Sequence, residues 1–212
     1  MNPTIKLCVG AALLLGLPVF LAAAPVEKIL NPKVRVVEQT LAPGDTLTLT
    51  GQNPGVIVSM DDGLIETART DRATTQDAVR RGQAIFEVAG HAELKNRGAS
   101  AVTLVWTEYL TAGSPEIWGK TGLAPHYTLL SENQYGRVYD IRISAQSYEP
   151  LHSHHDRVVV CLSGAELEHI MPDGRKEKSS LQTGDILWRL ATTHVGHDIG
   201  LTDLWVIAIE PK

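Results

Sequence analysis

"PLHSHHDRVVVCLSG", residues 150–164, is the stretch on which the reading of this chain turns. Three histidines, His152, His154 and His155, fall within four positions, and Asp156, a valine run and Gly164 follow. In an extended strand alternate side chains share a face, so His152 and His154 point one way and His155 the other. Two imidazoles on one strand face can begin a metal site. The same letters also suit a polar turn between two strands, so the surroundings have to decide.

Working outward, the neighbouring segments read as short strands. "RVVVCLSG", "GDILWRL", "AVTLVW" and "LWVIAIE" are β-branched runs bounded by turn residues, and "MPDGRKE" carries a hairpin signal at Pro172, Asp173 and Gly174. The 18 glycines and 11 prolines, with only 5% aromatics, suit many short strands better than long helices. Thr74–Gly82 reads as a loop or a single helical turn. The chain also repeats itself. "NPKVRVVEQTLAPGD" from Asn31 aligns with "NQYGRVYDIRISAQS" from Asn133 at an offset of 102. The same offset places Gly82 on Gly184, Asn96 on Asp198 and Gly98 on Gly200. Two copies of one all-β unit are therefore expected, with the Gly- and Pro-rich segment 111–127 as the linker and Trp118 pinning it.

The first 24 residues stand apart. After Lys6, "LCVGAALLLGLPVFLAAA" (Leu7–Ala24) is apolar throughout and ends in small residues. This pattern predicts a helical secretory signal peptide, and hence a periplasmic or secreted protein. An uncleaved segment 1–24 is the one expected route to a membrane. The formal net charge is −5, and loss of 1–24 removes Lys6 and no acid. No basic stripe suits a phosphate backbone, which argues against nucleic-acid binding. Cys161 is the one cysteine beyond the leader, so the exported chain has no internal disulfide and is held by its core. Cys161 itself reads as a small buried apolar residue, and Trp106, Trp188 and Trp205 read as core.

The second copy resembles the cupin superfamily of small jelly-roll barrels. That family's first motif has H-x-H, an acidic residue and a later Gly; "LHSHHDRVVVCLSG" supplies His152, His154 and Gly164. Its second motif has Gly-Asp, an apolar strand, a turn, a His and an Asn; "GDILWRLATTHVGHDIG" supplies Gly184, Asp185, His194 and Asp198. Two features depart from the pattern. Counting back from Gly164, the acidic position falls on Arg157 or Val158, and Asp156 is the nearest carboxylate. The P-x-G turn is replaced by "LATT". The first copy resembles the family mainly through the repeat: Thr50 and Gln52 stand where His152 and His154 stand, and His91 is the one histidine near its second motif.

The resemblance implies an all-β bicupin of two tandem jelly-roll barrels. The expected boundaries are a signal peptide at 1–24, a degenerate barrel at 25–110, a linker at 111–127 and a metal-bearing barrel at 128–212. The implied ligands are His152, His154 and His194, with Asp156 reaching in from the turn. Such a set suits a divalent Fe, Mn, Ni, Cu or Zn ion. His155 would replace His154 if the short turn shifts the strand register, His197 is a second candidate for the place of His194, and His169 is placed on the surface. The implied activity is that of a metal-dependent dioxygenase- or isomerase-like enzyme on a small molecule. A non-catalytic module binding a small molecule or metal, and a structural bicupin without a working site, are the alternatives. The resemblance also implies association through strand edges, either as a pseudo-dimer of the two barrels within one chain or as a homodimer.

Overall fold

A computed structural model describes residues 23–51 and 53–212. Residues 1–22 of the expected signal peptide lie outside the described residues, as does Gln52. All regular structure among the described residues is β-strand. The first unit contains β1 (Val26–Leu30), β2 (Val34–Leu41), β3 (Thr46–Leu49), β4 (Gly55–Ser59), β5 (Gly63–Arg69), β6 (Arg72–Val79), β7 (Ala84–Glu87), β8 (Ala92–Asn96) and β9 (Val102–Tyr109). The second contains β10 (Tyr127–Glu132), β11 (Gly136–Ile143), β12 (Tyr148–His154), β13 (Arg157–Ser163), β14 (Glu166–Ile170), β15 (Lys176–Ser180), β16 (Ile186–Arg189), β17 (Thr192–Asp198) and β18 (Leu204–Pro211).

Each unit is a five-stranded sheet facing a four-stranded one. The orders β1-β2-β9-β4-β7 and β3-β8-β5-β6 of the first recur as β10-β11-β18-β13-β16 and β12-β17-β14-β15 in the second. All pairings are antiparallel. The offset seen in the sequence is structural: β2 and β11, β7 and β16, and β9 and β18 begin and end 102 residues apart. Turn chemistry repeats with it. Asn96 and Asp198 each accept a hydrogen bond through Oδ1 from the glycine amide two residues on, at 2.9 and 2.8 Å. Gln83 and Asp185 each cap the turn that precedes them, and Gly82 and Gly184 supply its positive φ. Asp185 is thus a turn residue.

Packing explains the uninterrupted apolar runs. Val158, Val160 and Leu162 of β13 face a core shared with Val34, Val56 and Val105 of the first unit. Val159 and Cys161, on the other face of the same strand, face the interior of the second unit. A strand buried on both sides needs no polar alternation. The two five-stranded sheets therefore pack on one another, and each four-stranded sheet closes the far side of its own unit. Arg81 from the first unit donates to the Leu162 carbonyl and lies over the Trp205 ring, 5.3 Å from its centroid. Lys33 pairs with Asp156 across the same seam. Trp106 is buried within the first unit, while Trp188 and Trp205 are partly buried at the shared core.

Thr74–Gly82 differs from its expectation. Arg72–Val79 forms β6, which pairs with β5 from Gly63↔Val79 to Arg69↔Arg72. Cross-strand pairing distant in sequence decides this segment, and its exposed Thr-rich face carries no apolar pattern to signal it. The linker is pinned by Trp118, whose ring stacks on His155 with centroids 3.9 Å apart. Arg137 and Lys212 lie over the same indole.

Candidate metal centre

The site is built chiefly on β12 and β17. His152 and His194 are direct cross-strand partners, and His154 lies opposite Thr192. One ring nitrogen from each of His152, His154 and His194 lies within 4.8 Å of the others, and all three side chains are buried. His152 Nε2 and His154 Nε2 are 2.9 Å apart. Two cis ligands of a six-coordinate ion with bonds of about 2.1 Å would sit about 3.0 Å apart, so this pair of donors fits a first-row divalent metal. His152 Nδ1 lies 2.7 Å from the Pro150 carbonyl, which can only accept. The proton is therefore on Nδ1, and Nε2 turns its lone pair to the cluster.

Burial lowers the pKa of all three imidazoles, that of His194 to about 3. Their neutral form is the one a metal needs. The Tyr127 hydroxyl from β10 lies 3.1 Å from His152 Nε2 and 3.3 Å from His154 Nε2.

Asp156 is not brought to this group. Its carboxylate accepts the Ala191 amide at 2.8 Å and pairs with Lys33 at 3.1 Å, out on the turn between strands. The carboxylate that faces the cluster is Glu149, with Oε2 3.9 Å from His152 Nε2 and Oε1 buried without a hydrogen-bond partner. Burial pushes its pKa up to about 7, against a hydrogen bond from Tyr127 and the charge of Arg157. Glu149 is three residues before His152, a spacing that puts side chains on opposite faces of a regular strand. A β-bulge between Glu149 and His152 supplies the extra residue and turns both inward. Pro150, which lacks a donor, lies within it. Opposite, Gly196 makes room: a Cβ there would stand 2.6 Å from Glu149 Oε2.

His169 was expected on the surface. It is instead half-buried in the cavity wall, its ring 4.5 Å from that of His194 and its Nε2 3.2 Å from Ser179 Oγ. On β17, His197 falls on the face opposite His194 and stacks on Tyr148, and His155 is engaged by Trp118. His155 therefore does not replace His154, nor His197 His194. Arg157 opens β13 on the same face as Val159, and its charge lowers every pKa in the imidazole group. The cavity beside these residues measures about 330 Å³. In the first unit the positions of Glu149 and His194 are Leu47 and Ala92, both core residues. His91 is exposed. There Arg69 pairs with Glu87, and the cavity shrinks to about 90 Å³.

No protein-family model matches the sequence, and no curated protein matches it. Solved structures do match. A cupin 2 conserved barrel domain protein from Leptotrichia buccalis superposes with a TM-score of 0.58 at 12% identity, covering 89% of this chain and 88% of that one. AerE from Microcystis aeruginosa gives 0.59 at 14%, covering 89% and 97%. Oxalate decarboxylase from Bacillus subtilis gives 0.58 at 15%, covering 84% and 68%. The fold of this chain is that of the cupin-type barrel proteins.

Proposed function

We propose that the chain is an exported bicupin whose C-terminal barrel holds a catalytic divalent metal and acts on a small molecule. The observation that carries this is the convergence of His152, His154 and His194 on one buried point beside a cavity of about 330 Å³. Small-molecule sites begin near that size. Glu149 is the proposed fourth ligand, in place of Asp156. A carboxylate with three neutral imidazoles favours Mn, Fe or Ni over a softer ion. One of the similar structures concerns Mn(II) centres in oxalate decarboxylase, which supports the choice of manganese as the first metal to test.

When bound, the ion would supply Lewis acidity and a template for substrate. The chain's own residues do the rest. The His152 Nδ1 proton is held by the Pro150 carbonyl, which fixes the ring. Tyr127 presents a hydroxyl to the same point. Ile141, Ile143 and Val206 give the cavity an apolar wall. The first barrel is proposed to be a structural partner. Residues 1–24 are proposed to be the export signal, which intact mass of the exported protein would check.

Elemental analysis of the purified, untagged protein tests the metal reading. Close to one divalent ion per chain is expected, falling below a tenth of that in His154→Ala or His194→Ala. Wild-type protein without metal after exposure to Mn, Fe, Ni, Cu and Zn would refute it. Metal-loaded protein that turns over nothing in oxygen-uptake, decarboxylation and isomerisation assays would reduce the function to binding.

A further inference from the structure

Arg157 is 8% exposed and faces the barrel interior. Its Nη1 reaches two backbone carbonyls, His155 at 3.3 Å and Leu190 at 3.4 Å. Among the described residues its Nε and Nη2 have no hydrogen-bond partner, and no acid lies within ion-pair distance. Its cross-strand partner on β16 is Arg189, which also lines the cavity and also lacks an acid among the described residues. Like charges directly opposite in a ladder destabilise it, and a buried guanidinium without a counter-charge is costly.

The nearby carboxylates do not remove this excess. Glu210 is engaged by Arg137 and Tyr139, and Glu149 faces the imidazoles. Arg157 also occupies a place in the sequence register where an acidic ligand was expected. A divalent ion on the three histidines would add two further positive charges to the cavity.

We propose that Arg157, with Arg189 opposite it at the mouth, anchors the carboxylate of a small organic acid bound beside the three histidines. A planar guanidinium with free donors matches a carboxylate in two parallel hydrogen bonds. The ligand's remaining atoms lie against Ile141, Ile143 and Val206. The cavity, at about 330 Å³, lies at the small end of the range of small-molecule sites. This deepens the metal reading but does not depend on it, because the two arginines are there with or without an ion.

The test is calorimetric titration of the full chain, both metal-free and Mn-loaded, with oxalate, 2-oxoglutarate and benzoate and with the neutral amides oxamide and benzamide. At least one acid should bind roughly tenfold or more tightly than the amides. Arg157→Gln should lose that preference while keeping wild-type metal content and a cooperative thermal transition. Arg157→Lys, which retains the charge, should recover part of it, and Arg189→Gln should weaken binding by a smaller factor. If no acid binds better than the amides in either form, or if Arg157→Gln binds acids as wild type does, the proposal is overturned. Absence of metal in the wild type would refute the metal reading alone, and the metal-free titration would still decide this one.

Discussion

Gly196 shows how much a single atom matters at this site. An added methyl group would meet Glu149 Oε2 at 2.6 Å, so Gly196→Ala should displace the carboxylate while leaving the three histidines in place. Loss of an orienting or ligating partner typically weakens metal affinity by 10–100-fold. Competition with a chelating indicator should show that loss, with the ion still bound at saturation. Cys161 gives the opposite case. Burial raises its thiol pKa to about 11, and the residue has no exposed surface. The thiolate is the reactive form, so a disulfide reagent at pH 8 should leave it unmodified until denaturant is added. At this scale the sequence revealed His152 and His154, because alternation within one strand is local. Glu149 was hidden by the bulge, and His169 by the apposition of β14 and β17, which no short window contains. Asp156 looked like a ligand only because it was the nearest acid in the chain.

Among the elements, β12 carries the site through its irregularity. Its bulge lets Glu149, His152 and His154 share one face. Deleting Leu151 would remove the extra residue and force either the glutamate or both histidines outward. The deletion variant should fold yet bind metal at least about tenfold more weakly than wild type, by competition with a chelating indicator. The end of β18 supports β12 from behind. Glu210 accepts from Arg137 Nε at 2.9 Å, from Tyr139 and from the His155 amide at 3.1 Å. Removing one partner of a buried ion pair costs about 3–5 kcal/mol. Glu210→Gln should therefore lower the urea-unfolding free energy by about that amount, with some metal loss as the turn at His155 loosens. Most strands were readable from β-branched runs and turn residues. β6 was not, since its order comes from β5 alone.

The molecule as a whole is two similar two-sheet units packed through their five-stranded sheets, and the presence of two copies was legible as a repeat at constant offset. Which faces meet was not legible, because a run such as "RVVVCL" reads the same whether one side or both are covered. The isolated segment 128–212 would expose Val158, Val160, Leu162, Ile207 and Ile209. Light scattering on that fragment should show self-association, whereas the full chain should unfold in one calorimetric transition. Val160→Asp, which puts a charge into the shared core, should lower the melting temperature of both halves together.

One consequence of the pinned linker is optical. The Trp118 indole is stacked on the imidazole of His155, the immediate chain neighbour of His154, with two cations over its faces. Its emission should therefore report occupancy of the barrel next to it. The difference spectrum between wild type and Trp118→Phe would turn this side chain into a built-in reporter, readable without label or substrate.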